Sequence, residues 1–165
     1  MKAKLVEVGF TFLAFLLCAY CETRAFISYA PLIMRTGALA AVLIFTHNSL
    51  AAVTVMVGML FCSYLVEAMP EKYRRRGDVL KHPRATCAVL SAFIIANSLL
   101  VLGWPINAEA VLYSLPVAAI ESYGVYLAAF TGVRRCVSIK NMGKVYSVFF
   151  AGAVLETLMM SYLSA

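Results

Sequence analysis

The chain has 165 residues, of which 63% are hydrophobic and only 13% are charged, and its mean hydropathy is +0.87. Soluble domains are roughly half apolar and a quarter charged, so this composition excludes an ordinary soluble protein and leaves no room for a soluble catalytic domain. The net charge of +6 does not indicate nucleic-acid binding, because Lys and Arg are confined to the ends of the apolar runs, where they act as topology signals.

Apolar runs that can cross ~30 Å of hydrocarbon predict an all-α integral membrane bundle, with a single domain over residues 1–165. Five transmembrane helices are expected, at about 5–21, 49–67, 85–103, 109–132 and 145–164. We interpret the first run as a retained span. The alternative, a signal peptide, is disfavoured because the run lacks a clear small-residue cleavage site and carries Glu7 in its first turn.

The stretch 26–46 is too apolar for a simple loop, yet Arg35 divides it. A single helix over 37–67 would be ~46 Å long, well over the bilayer thickness. Polar residues stand where a break is expected, at Thr46, His47, Asn48 and Ser49. We therefore expect an outer-side amphipathic or re-entrant segment at 26–46. The alternative is six spans, which would spoil part of the charge asymmetry.

Basic residues predict the orientation of the five spans. The spans alternate, so the N-terminus, the 68–84 loop and the 133–144 loop share one side. Those segments hold 12 of the 14 basic residues, namely Lys2, Lys4, Lys72, Arg74, Arg75, Arg76, Lys81, Arg84, Arg134, Arg135, Lys140 and Lys144. The positive-inside rule then predicts a multi-pass cell-membrane protein with its N-terminus in the cytoplasm and its C-terminus outside.

Polar residues in three predicted spans form a candidate intramembrane site. An ionisable side chain in hydrocarbon costs ~3 kcal/mol on insertion scales, and Glu121 and Glu156 each lie near the middle of a span. Asn97 lies in a third span. Counted from the cytoplasmic ends of their spans, all three residues lie at a depth of ~16–18 Å. We therefore expect Asn97, Glu121 and Glu156 to converge inside the bundle.

Small residues accompany both glutamates and predict that they face protein and not lipid. Glu121 shares a helix face with Gly124, Ala128 and Gly132, and Gly152 and Ala153 stand one turn before Glu156. One interpretation of the site is a neutral carboxyl that hydrogen-bonds to Asn97 or to a backbone carbonyl. The other is a site that handles a proton or cation, or the wall of a polar pathway.

His47 and Asn48 are assigned to a separate, outward-facing layer. They either cap a helix at the predicted break or, in the case of His47, titrate. Cys18 and Cys21 form a C-x-x-C pair without a second pair or a nearby histidine, so we interpret them as small apolar residues, with an outer-surface disulfide as the alternative. No cofactor or metal is expected.

The order of several short motifs from about residue 44 to the C-terminus resembles the stage II sporulation protein M family of small multispan membrane proteins. An asparagine precedes one span in IFTHNSLAAVTVMVGMLF, and Asn97 lies in the next. Pro116 and Glu121 keep the family spacing in PVAAIESYGVYLAAFTGVRR, and Glu156 stands in the last span. The chain departs from the family pattern at Val117 and Ala118, where relatives have His and Gly. The resemblance implies a membrane component without known catalytic activity, whose namesake works in a complex with cell-wall hydrolases.

The predicted function is a non-enzymatic membrane protein that associates with itself or with other membrane proteins, as a subunit of a transport or envelope-remodelling complex. The two helix faces rich in Gly and Ala favour this function. The alternative is a small transporter or channel that uses the carboxyls of Glu121 and Glu156. An enzyme that acts on lipid is a third hypothesis, although the sequence has no H-E-x-x-H, G-x-S-x-G or P-loop motif. The expected partners are the lipid bilayer and other membrane proteins, without nucleic acid.

Overall fold

The computed structural model describes residues 2–33, 37–71, 82–101 and 108–163, and in that part of the chain it contains five α-helices. They are α1 (Lys2–Ile33), α2 (Gly37–Ala68), α3 (Pro83–Val101), α4 (Ala108–Val133) and α5 (Ile139–Leu163). The predicted all-α class is confirmed. The loop between α2 and α3 and the turn between α3 and α4 lie mostly outside the described residues.

Consecutive helices run in opposite directions, as the residues that meet between them show. The rings of Phe12 and Phe61 meet at a tilt with centroids 5.3 Å apart, and Phe15 covers Gly58, so α1 and α2 are antiparallel. Helix α4 is antiparallel to α5, from the contacts Gly124–Phe149 and Glu121–Gly152, and parallel to α2, from the contacts Asn48–Glu121 and Met56–Gly132. Helix α3 is antiparallel to α4, because Ser91 contacts Ser122 whereas Cys87, earlier in α3, clusters with Ala129 and Val133, later in α4. The chain therefore alternates up and down, and the described basic residues near the α2–α3 and α4–α5 connections lie at one end of the bundle.

Helix α4 lies at the centre of the bundle, because it packs against α2, α3 and α5. Its small residues make these contacts close: Ala128 and Ala129 are fully buried. A Cβ atom at Gly124 would lie 2.8 Å from the Phe149 ring, and one at Gly132 would overlap the Met56 carbonyl oxygen. The prediction that the small-residue face of α4 faces protein is confirmed.

The prediction of a separate segment at 26–46 is wrong. Residues 26–33 continue α1, residues 37–46 are the first turns of α2, and α2 runs without a break through Thr46 to Ser49. Two features explain the continuous helix. Residues 38–57 contain no Gly or Pro, and Thr46 Oγ1 donates a hydrogen bond to the Val42 carbonyl oxygen at 2.7 Å within the helix. The polar residues at 46–49 therefore lie inside α2 and do not cap a helix end.

Helix α5 begins six residues before the predicted start at 145. The Asn141 N–H donates to Ser138 Oγ at 3.3 Å, and Asn141 Nδ2 donates to the Cys136 carbonyl oxygen at 2.7 Å. Ser138 thus acts as the N-cap of α5. The basic residues Lys140 and Lys144, which the sequence placed in a loop, are exposed residues in the first turns of this helix.

Within the described residues, three helices are long and apolar enough to cross a membrane, over Lys4–Ala25, Leu39–Ala68 and Ile139–Tyr162. A shorter apolar helix covers Pro83–Ile94. These lengths and compositions are compatible with a membrane protein. At 32 residues, α2 is ~48 Å long, so crossing a bilayer requires it to tilt or to emerge from the hydrocarbon.

The Gly132→Ala substitution is expected to lower the free energy of unfolding by about 1–3 kcal/mol, the usual cost of overpacking a tight contact, because the new methyl group collides with the α2 backbone at Met56. Chemical or thermal unfolding in detergent measures the change. The matched control is Gly143→Ala, where nothing lies within 4 Å of the new Cβ and helix propensity alone favours Ala by about 1 kcal/mol. Equal stabilities of the two variants would contradict the close approach of α2 and α4.

Candidate polar site

A hydrogen bond between α2 and α4 forms the centre of the candidate site. Asn48 Nδ2 donates to Glu121 Oε1 at 2.6 Å, and both side chains are half-buried. The two residues are 73 positions apart in the sequence and meet because α4 approaches α2 closely. This distance is at the short end for a hydrogen bond from an N–H donor, so the contact anchors the Glu121 carboxyl on α2.

Glu156 reaches the same region from α5. Gly152, one turn before it, faces Glu121: a Cβ atom at Gly152 would lie 3.7 Å from Glu121 Cγ. That distance is ordinary van der Waals contact, so the Gly152 backbone of α5 packs directly against the Glu121 side chain. Glu156 stands one turn after Gly152 on α5, and both glutamates are half-buried. The helix faces that carry Glu121 and Glu156 therefore lie toward each other, while direct contact between the two carboxyls stays a prediction.

A pair of serines extends the polar region from α4 to α3. Ser91 Oγ donates to the Ser122 carbonyl oxygen at 2.6 Å and lies 2.8 Å from Ser122 Oγ. Ser91 is almost completely buried, and Ser122 directly follows Glu121 in the sequence. Polar groups of four helices thus lie in one region of the bundle, supplied by α2, α3, α4 and α5.

The structure changes the membership of the predicted site in two ways. Asn97 lies in α3, but its side chain is outside the described residues, so its convergence with the glutamates stays a prediction. Asn48, which the sequence assigned to a separate outer layer with His47, instead contacts Glu121. That assignment is wrong for Asn48 because it assumed a helix break at this position. His47 is half-buried and interacts electrostatically with Glu22 of α1, so neighbouring residues of α2 face different helices.

A second polar contact fixes the end of α4, far from the glutamates. Arg135 has a φ of 54°, and its N–H donates to the Gly132 carbonyl oxygen at 3.1 Å. Together with the bond from the Cys136 N–H to the Thr131 carbonyl oxygen at 3.2 Å, this is a Schellman motif, whose left-handed residue is usually Gly. A non-glycine residue in this conformation costs roughly 1–2 kcal/mol.

The Arg135 side chain explains why this position is not glycine. Its guanidinium lies 2.7 Å from the Glu67 carboxylate and 4.1 Å above the centroid of the Tyr64 ring. Both partners belong to the last turns of α2. Ser63 Oγ adds a buried hydrogen bond of 3.2 Å to the Val133 carbonyl oxygen. The α4–α5 loop is therefore clamped onto α2, a role that sequence analysis missed because it treated Arg135 only as a topology signal.

The chemistry available at the site is that of carboxyls, an amide and hydroxyls. Within the described residues, no group of three or more His, Cys, Asp or Glu side chains is arranged to hold a metal ion. Cys18 and Cys21 are both free thiols in α1. The site thus offers hydrogen-bond donors and acceptors together with two titratable carboxyls.

No protein-family model, curated protein or solved structure matches the chain. The resemblance to the stage II sporulation protein M family therefore stays a prediction, and the function has to be inferred from the geometry of the bundle and of the site.

The hydrogen bond between Asn48 and Glu121 is expected to couple the stability effects of substitutions at the two positions. In a double-mutant cycle of Asn48→Ala and Glu121→Ala, we expect a coupling of about 1 kcal/mol in the free energy of unfolding, typical of side-chain hydrogen bonds between membrane helices. Thr46→Ala is the matched control, because the Thr46 hydroxyl bonds to its own helix and should show no coupling to Glu121. Additive effects of Asn48→Ala and Glu121→Ala would show that the hydrogen bond contributes nothing.

Proposed function

We propose that this chain is a non-enzymatic, multi-pass membrane protein that associates with a second copy of itself through α1 and works as a subunit of a transport or envelope-remodelling complex. The observation that carries this proposal is a continuous row of large, exposed apolar side chains along α1. All five helices serve as spans in the proposal, with the N-terminus in the cytoplasm and the C-terminus outside.

The alternating helix directions support five spans. Alternation places the start of α1, the α2–α3 connection and the α4–α5 loop at one end, which is where the basic residues concentrate. The positive-inside rule makes that end cytoplasmic. Helices α3 and α4 qualify as spans in the proposal because they pack among the three long apolar helices, α3 against α4 and α4 against α2 and α5.

The exposed row, here called the α1 stripe, comprises Val6, Phe10, Leu13, Leu17 and Tyr20. Each of these side chains is 64–73% exposed. Their spacing alternates between four and three residues, which is the spacing of the a and d positions in a helix pair packed by knobs into holes. Flanking residues such as Phe12 and Leu16 are less exposed, at 43% and 47%, so the stripe is the face of α1 that points away from α2.

The small-residue faces of α4 and α5 are already occupied within one chain. The face of α4 packs on Met56 and Phe149, and Gly152 and Ala153 of α5 are buried. The Gly- and Ala-rich faces that suggested self-association in the sequence are thus used for intramolecular packing. Among the three long apolar helices of the described residues, α1 has the smallest buried share of its apolar segment, 6%, against 22% in α5 and 33% in α2.

The proposed relationship to the stage II sporulation protein M family agrees with this role. Three of the positions that carry the resemblance, Asn48, Glu121 and Glu156, belong to one polar region in the bundle. In a family without known catalytic activity, such a region serves either to hold the helices together or to conduct a small solute. The proposal therefore assigns no catalytic residue.

Disulfide crosslinking tests the α1 stripe. In a background with the five native cysteines replaced by Ala, Leu13→Cys or Leu17→Cys should give covalent dimers in the membrane, since a disulfide requires Cα atoms within about 7 Å. The control is Phe93→Cys on α3, which is 68% exposed and reports random collisions. A protein that is monomeric in detergent and crosslinks at Leu13 and Leu17 no faster than at Phe93 would contradict self-association through α1.

A second function, a small transporter or channel for protons or cations, is favoured by the hydrogen bond between Asn48 and Glu121 and by the half-buried Glu156 on the neighbouring helix α5. Two ionised carboxyls at close range repel each other, and a proton or a cation between them removes that repulsion. Ser91 and Ser122 form a polar contact between α3 and α4 one residue along α4 from Glu121. Carboxyls and other polar groups at one level of a membrane bundle are the kind of arrangement that marks ion pathways.

Flux through reconstituted protein tests the second function. In proteoliposomes, Glu121→Gln and Glu156→Gln should each lower proton or alkali-cation flux at least tenfold, because the neutral amide cannot exchange a proton or balance a cation. Glu7→Gln is the control, since Glu7 is an exposed carboxylate on α1. Wild-type flux no higher than that of empty liposomes, for protons, alkali cations and common anions, would exclude this function.

A further inference from the structure

A groove on the outer surface between α4 and α5 is not used by any contact described above. It has a volume of about 450 Å³ and is lined by Ala119, Ile120, Tyr123, Ser147, Val148 and Ala151. This volume lies within the range of small-molecule pockets, about 300–1,000 Å³. The lining is almost wholly apolar, because the hydroxyl of Ser147 is turned back to the Gly143 carbonyl oxygen, to which it donates a hydrogen bond of 2.8 Å.

Two lysines stand at one end of this groove, on the same face of α5. Counted from Lys140, the second lysine lies four residues further along the helix, and the three groove residues of α5 lie 7, 8 and 11 residues further along. These offsets place all five residues on one side of the helix. Both lysines are exposed, and no described residue forms an ion pair with either of them. The first turn of α5 carries no acidic residue. The nearby Arg135 differs, since Glu67 neutralises it.

The dimensions of this surface match one leaflet of a bilayer. Lys140 and Ala151 are eleven residues apart, which is ~16 Å along the helix. This length is close to half the thickness of the hydrocarbon core, ~15 Å. With α5 as a span, Lys140 and Lys144 lie at the level of the headgroups and the groove runs from there toward the middle of the membrane. Positive charge at the headgroup level above an apolar groove is complementary to an anionic lipid.

We propose that the α4–α5 groove binds an acyl chain of a phospholipid with an anionic headgroup, and that Lys140 and Lys144 bind its phosphate. The chain lies against Ala119, Ile120 and Ala151, and the Tyr123 side chain borders it on the α4 side. Unlike a lipid that merely covers apolar surface, this one is selected by charge. The proposal is independent of self-association through α1 and of ion flux.

The occupant is a lipid and not a helix of a second copy because the charges favour it. A transmembrane helix that packed into the groove would have to place an acidic or otherwise complementary partner beside two lysines. The acidic residues described at this end of the bundle include Glu67, which is already paired with Arg135. The phosphate of an anionic phospholipid supplies the negative charge directly at the level at which the lysines stand.

Native mass spectrometry of the delipidated protein, with phosphatidylglycerol or phosphatidylcholine added back, tests the proposal. The wild type should retain phosphatidylglycerol at least tenfold more strongly than phosphatidylcholine. Lys140→Gln combined with Lys144→Gln should abolish this preference. Ala151→Phe should lower retention of phosphatidylglycerol at least tenfold although both lysines remain, because the ring fills the groove.

Two matched controls and a stability measurement make the result decisive. Lys4→Gln combined with Arg84→Gln removes two exposed positive charges elsewhere at the same end, and Leu158→Phe enlarges an exposed apolar residue of α5 outside the groove; both should bind as the wild type does. Thermal unfolding of each variant shows that it is folded.

Equal retention of the two lipids by the wild type, or unchanged retention by Ala151→Phe, would overturn the proposal. It would equally fail if Ala151→Phe changed the oligomeric state and not lipid retention, because the groove would then contact a second copy.

Discussion

The close approach of α4 to its neighbours is the constraint on which the rest of the structure depends. Gly132 brings the α4 backbone against the Met56 carbonyl group, and Gly124 admits the Phe149 ring. Between lipid-immersed helices, packing of this kind replaces the hydrophobic effect as a source of association. Because α4 touches α2, α3 and α5, residues at these positions also determine which polar side chains can meet across the bundle.

The polar region is a consequence of that packing. Glu121 reaches Asn48 on α2 because the helices are near each other, and its side chain packs against α5 at Gly152. A carboxyl in an apolar bundle is tolerated where donors or neighbours satisfy it. The opposite end of α4 is held by Arg135. The contacts of its side chain with Glu67 and Tyr64 of α2 offset the cost of its left-handed backbone conformation. One polar contact near the bundle centre and one at its end thus fix α4 on α2.

The outer surface complements this interior. The α1 stripe presents large apolar side chains without charge over about four turns, whereas the α4–α5 groove is a shallow apolar surface that ends at two exposed lysines. The two surfaces therefore suit different occupants. A regular row of large side chains suits another helix, and a groove with positive charge at its end suits an anionic lipid.

The amino-acid sequence by itself determined the all-α class and the approximate positions of α3, α4 and α5, because apolar length and helical periodicity are local properties. It also identified the small-residue face at Gly124, Ala128 and Gly132. It did not predict that α2 continues through Asn48 or that Ser91 pairs with Ser122. Only the tertiary structure decided these features, since a polar residue within an apolar run either breaks a helix or faces a partner, and the choice depends on whether another helix, 73 residues away in the case of Glu121, comes close enough to satisfy it.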